Sequence, residues 1–100
     1  MNKQEIMEKI NHCESVLPER TINGYYVKTI LVKSLIDKEI IIKVLAVFEN
    51  ENETEILQYN VDVENLFGGL LISECYAPDE LLCVADAVLN FIKIAKGENQ

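Results

Sequence analysis

Ile6, Ile10, Cys13 and Leu17 recur at helical spacing, while Lys3, Glu5, Glu8, Lys9, Asn11, His12 and Glu14 fill the other sides. This predicts an amphipathic helix over residues 3–16, ended by Pro18. Asn23-Gly24 then marks a turn, after which residues 25–36 and 39–49 are rich in β-branched and aromatic side chains. Two strands joined by a tight turn at Asp37-Lys38 are expected. Residues 55–64 alternate Leu57, Tyr59, Val61 and Val63 against Gln58, Asn60, Asp62 and Glu64, the clearest strand pattern in the chain. Residues 70–76 read as the last strand, following Phe67-Gly68-Gly69.

A final helix is expected from Pro78 to Gly97, with Asp79 and Glu80 at its positive end and Lys93 and Lys96 at its negative end. Asp79, Cys83, Asp86, Asn90 and Lys93 make one narrow polar stripe on it, and nearly everything else is apolar. The expected fold is a single α+β domain over residues 1–100. It is an antiparallel four-stranded meander sheet flanked by an N-terminal and a C-terminal helix, in the order α-β-β-β-β-α.

Parity carries the reading further, because a one-residue slip turns every side chain to the other face. Ile40, Ile42, Val44, Ala46 and Phe48 form one face of the second strand and should match the odd-numbered residues of the third, which a four-residue loop at 50–53 satisfies. In that register Asp62 lies diagonally one rung from Lys43, and Glu64 faces Glu39. The opposite face gathers Ile41, Leu45 and Val47, and the two-residue turn adds Ile30 and Val32 from the first strand. These five form a second apolar patch that needs cover, and self-association as a homodimer is the expectation for it. The same register turns Lys33 inward, which is tolerable only where the side chain escapes at the sheet end.

Composition narrows the function more than it names it. The chain has 100 residues, 49% of them apolar, and a formal net charge of −8 with a single arginine, Arg20. Direct binding to nucleic acid needs clustered Lys and Arg and is not expected. Cys13, Cys75 and Cys83 are odd in number and lack CxxC spacing, so reduced thiols, no metal and a cytoplasmic setting are expected. No apolar run is long enough to span a bilayer, and membrane association is not expected. No nucleophile elbow, phosphate-cradling loop, HExxH or dinucleotide fingerprint occurs, so no catalytic residue and no cofactor is assigned. His12 and Cys13 point about 100° apart on a helix and cannot easily act together.

Charge is unevenly placed. The 49 residues between Lys43 and Lys93 contain no Lys or Arg and ten carboxylates. The densest part is the hairpin tip, where Glu49, Glu51, Glu53 and Glu55 alternate with short polar residues. A solvated loop is the plainer account of it. The functional account is an acidic finger for a basic protein partner, including mimicry of nucleic acid in a phosphate-binding groove. The expected protein is a small non-enzymatic binding module of the inhibitor, immunity or secretion-chaperone kind, such as phages and mobile elements encode. The alternative is a small-molecule binding or sequestering protein with an apolar pocket between helix and sheet, lined by Tyr25, Tyr59 and Phe91.

Overall fold

The computed structural model describes residues 2–52 and 55–97. Two helices, α1 (Lys3–His12) and α2 (Leu81–Ala95), flank a sheet of five strands: β1 (Arg20–Ile22), β2 (Tyr25–Leu35), β3 (Ile40–Phe48), β4 (Ile56–Asn65) and β5 (Leu70–Tyr76). Each strand pairs antiparallel with the next, in the spatial order β1-β2-β3-β4-β5. The fold is therefore α+β, with one strand more than the alternation predicts. β1 has three residues, too few for a period of two to show. Its signal is the turn that follows: Asn23 and Gly24 both have positive φ, 51° and 85°, as a two-residue hairpin connection of the primed type requires.

α1 starts at Asn2, whose side chain accepts the Glu5 N–H at 2.9 Å, and it stops well before Pro18. Cys13 takes the left-handed conformation, φ 52°, and its N–H bonds back to Lys9 and Ile10. The chain then runs beside β2, where the Val16 N–H reaches the Thr29 carbonyl at 2.8 Å, so that β2 is partnered there ahead of β1. α2 begins at Leu81 rather than at Pro78, because Ala77–Glu80 closes a turn first: the Glu80 N–H bonds to the Ala77 carbonyl, and the Ala77 N–H to Glu80 Oε1 at 2.7 Å. The polar stripe of α2 is exposed at Cys83, Asp86, Asn90 and Lys93, and Val84, Ala85, Val88 and Ile92 face inward.

Both helices lie on one side of the sheet. Ile6 and Ile10 of α1 join Val84, Ala85 and Val88 of α2, and these meet Ile42, Val44 and Ala46 of β3 and Val61 of β4, all without measurable exposure. Burial of each such aliphatic side chain contributes about 1.5–3 kcal/mol, so this layer supplies most of the folding drive. Leu31, Leu35, Phe48, Tyr59 and Val63 complete it.

Two irregularities decide which side chains reach the other side. Thr29 pairs with Leu45 but Leu31 with Val44, which leaves Ile30 as the extra residue of a β-bulge. Ile30 therefore turns into the helix-side core, 1% exposed, and does not join the second apolar face expected from an unbroken register. Val32 keeps its expected side, opposite Lys43. Lys33 lies on the helix side opposite Ile42 and remains half-exposed. Between β3 and β4 the strands separate at Phe48 and rejoin at Ile56, a longer connection than the four-residue loop. Phe48 pairs with Ile56 but Val47 with Gln58, so a bulge at Leu57 adds to the longer connection and displaces the rest of the pairing by two residues: Lys43 sits directly opposite Asp62, and Glu64 faces Ile41 instead of Glu39.

Candidate binding face

No helix covers the second side of the sheet. It carries Val27, Thr29 and Val32 from β2, Ile41, Lys43, Leu45 and Val47 from β3, and Gln58, Asn60, Asp62 and Glu64 from β4. Strand twist and the β1 hairpin curl this face so that its centre is sheltered: Leu45 is 1% exposed, Val27 2%, Thr29 4% and Asp62 8%. A hollow of about 200 Å³ lies there, lined by Val27, Leu45 and Val47, by Gln58, Asn60 and Asp62, and by Ile22, Asn23 and Tyr25 of the β1–β2 hairpin. Four of the five residues expected on this side, Val32, Ile41, Leu45 and Val47, are present, and the bulge removes Ile30.

The polar row of β4 is internally ordered. Gln58 Nε2 donates to Asn60 Oδ1 at 2.7 Å and also approaches Cys75 Sγ at 3.5 Å. The Ser73 hydroxyl donates to Asp62 Oδ1 at 2.7 Å. Lys43 Nζ lies 3.0 Å from Glu64 Oε1, with both side chains less than a fifth exposed. Sequence alternation identifies the members of this row correctly but does not give their depth. Only the curl of the sheet, which no local pattern encodes, turns it into the lining of a hollow.

The acidic tip adjoins this face, since Val47 and Gln58 are its last open-side pair before the chain leaves the sheet. Glu49, Glu51 and Glu55 are exposed, and none of them joins an ion pair with another described residue. The Asn52 N–H donates to Asn50 Oδ1 at 2.9 Å and shapes the turn locally. Glu53 lies outside the described residues.

Other expected site residues do not converge. Tyr25 lines the hollow on the open side, whereas Tyr59, opposite Ala46, is buried on the helix side, where burial and then the neighbouring Cys13 push its phenol above the usual tyrosine value. Phe91 is half-buried on α2. These three rings therefore cannot line one pocket, and the helix–sheet interface is filled by the aliphatic core. A shallow groove between β5 and α2 holds Glu74, Tyr76, Cys83, Asp86 and Lys93. There the Tyr76 hydroxyl donates to Glu74 Oε1 at 2.6 Å, and that bond, with burial, pushes it up to about 12. Among the described residues no group of three or more His, Cys, Asp and Glu side chains is placed to hold a metal ion. No described helix is long and apolar enough to cross a membrane.

Sequence reasoning gave little weight to β5. Leu70, Leu71 and Ile72 are 59%, 55% and 43% exposed on an edge strand, beside Leu66 and an almost fully exposed Phe67. The signal was available: residues 65–73 contain no charged side chain. Comparison of the chain with models of known protein families, with curated proteins and with solved structures gives no match, so geometry alone carries the functional argument.

Proposed function

We propose that the chain is a non-enzymatic binding module that receives a basic segment of a partner protein along the open sheet face, with the acidic tip guiding its approach. One observation carries this reading: a sheltered face with apolar and hydrogen-bonding lining ends at the exposed carboxylates Glu49, Glu51 and Glu55, none of which joins an ion pair with another described residue. Charges at the rim of an interface act mainly on association rate. Replacing Glu49, Glu51, Glu53 and Glu55 with Gln should therefore slow association with the captured partner by about tenfold at low salt and flatten its salt dependence. Val47→Lys, placed in the lining of the hollow, should chiefly speed dissociation. Surface plasmon resonance on a partner recovered from the host lysate reads both effects. Unchanged kinetics in both variants overturn the proposal.

A second reading, self-association, is favoured by β5 rather than by the open face. Leu45 is 1% exposed and offers a second copy little area, whereas Phe67, Leu70, Leu71 and Ile72 lie along a strand edge that is unpaired among the described residues and carries no charge before Glu74. Such an edge is a template for strand pairing, and antiparallel pairing of two β5 strands makes a closed twofold dimer. Light scattering should then give a dimer at micromolar concentration and a monomer for Leu71→Lys. A monomeric wild-type protein rules this reading out.

A further inference from the structure

We infer that the hollow on the open face is a binding site for an organic cation, an alkylammonium or alkylguanidinium group, held by Asp62. The inference rests on the reading of that face as a binding surface and names the chemistry it selects.

Asp62 is 8% exposed, and its hydrogen-bond donor is neutral, the Ser73 hydroxyl on Oδ1 at 2.7 Å. A carboxylate so far withdrawn from water is ordinarily paired with a cation. Lys43 stands directly across the strand pair, yet its ammonium lies on Glu64 at 3.0 Å, and no described cation is within 4 Å of Asp62. Lys43, Asp62 and Glu64 thus leave one uncompensated negative charge, and Asp62 brings it to the hollow. The lining contains no Lys or Arg; Arg20, which shares this face opposite Val27, lies outside it. Beside the carboxylate, the Gln58 and Asn60 amides supply hydrogen bonds across a planar or tetrahedral donor group. Val47 and Leu45 provide apolar lining for a methylene stem, and the Tyr25 ring suits a cation. The volume is also right. A cavity of about 150 Å³ accepts benzene, so about 200 Å³ accommodates a guanidinium or ammonium group on a short alkyl chain.

The cation has two possible sources, a free amine or an Arg or Lys side chain of a bound protein. Titrating the ¹⁵N-labelled protein with n-butylguanidinium, n-butylammonium, neutral n-butylurea and a capped Gly-Arg-Gly peptide separates them. The cations should shift the amides of Gln58, Asn60 and Asp62, and butylurea should not. Asp62→Asn, which keeps the shape and an acceptor for Ser73, should raise the dissociation constant at least about tenfold. Val47→Phe fills the hollow and should do the same with the carboxylate intact. A variant with Gln at 49, 51, 53 and 55 should bind within about threefold of wild type, because screened surface charges add little to a contact made inside the hollow. Tighter binding of the peptide than of butylguanidinium assigns the source to a protein side chain, and the reverse order assigns it to a free amine.

Equal binding by butylurea, unchanged binding in Asp62→Asn, or equal losses in the tip variant and Asp62→Asn would overturn the inference. Its failure is distinguishable from that of the proposed function. Partner kinetics that respond to the tip and Val47 variants, with no cation binding by NMR, remove the cation site alone. Cation binding with partner kinetics unmoved removes the partner reading alone.

Discussion

Ile10→Ala should destabilise the protein by about 2–5 kcal/mol and release α1 from the sheet. Ile10 and Ile6 have no exposed surface, and they are the only fully buried side chains that α1 contributes. Its ion pair with α2, Lys3 Nζ to Asp86 Oδ1 at 2.8 Å, joins side chains that are 43% and 61% exposed, and such a pair is worth about 0–1 kcal/mol. The capping bond from Glu5 to Asn2 stabilises the helix against its own unfolding but does not hold it to the sheet. A helix of ten residues has little stability alone, so its order depends on those two isoleucines. A domain of this size is stable by about 5–15 kcal/mol, so the substitution removes a large fraction of the total. Urea unfolding should show the loss, and hydrogen exchange should show it first at the α1 amides. Lys3→Met should change the unfolding free energy by no more than about 0.5 kcal/mol. Equal effects from the two substitutions would mean that charge, rather than packing, fastens α1.

The extent to which this fold is legible in the sequence follows from the range over which each feature is determined. β5 appears at residues 70–76 as expected, and β2, β3 and β4 fall within two residues of their expected bounds, because local alternation and turn residues specify them. The end of α1 is less legible: a left-handed Cys13 stops the helix where glycine or proline would have announced it. The bulge at Ile30 is a tertiary feature. Above it Val27 and Thr29 face the open side, and below it Val32 and Ser34 do, so no single parity describes β2. A period-two reading across the whole strand must misplace part of it. The register between β3 and β4 lies two residues from the expected one for a related reason, since the connection after Phe48 breaks the parity and a bulge at Leu57 restores it, and neither leaves a mark in the alternation. For the candidate face, the sequence pattern places Val32, Ile41, Leu45 and Val47 on one side but leaves the depth of Asn60 and Asp62 open. Polarity shows which side a residue takes, whereas depth depends on how five strands curl together.

That misplaced register hides the pair with the second large expected effect. Lys43→Met should cost about 2–4 kcal/mol, far more than an ordinary surface ion pair. In the observed register Lys43 lies opposite Asp62, but its ammonium bonds Glu64 alone, so two carboxylates on alternate residues of β4 stand beside one cation that neutralises only the second. Its side chain and that of Glu64 are 17% and 14% exposed, and water can only partly replace the ion pair. Methionine preserves most of the stem that packs on the sheet, so the loss reports the charge rather than the packing. The two carboxylates are then left with mutual repulsion and no cation. Lys43→Met with Glu64→Leu removes the uncompensated Glu64 as well, and the double variant should recover to within about 1 kcal/mol of wild type. Glu64→Leu alone leaves Lys43 able to turn toward Asp62 across the strand pair, and it should cost less than Lys43→Met. The resulting order of stability is wild type, then the double variant, then Lys43→Met, read from urea midpoints under one buffer and salt condition. A Lys43→Met unfolding free energy within about 0.5 kcal/mol of wild type would show that Asp62 and Glu64 are hydrated enough to do without the ammonium. The open face would then be wetter than its burial implies, and the charge in the hollow correspondingly weaker.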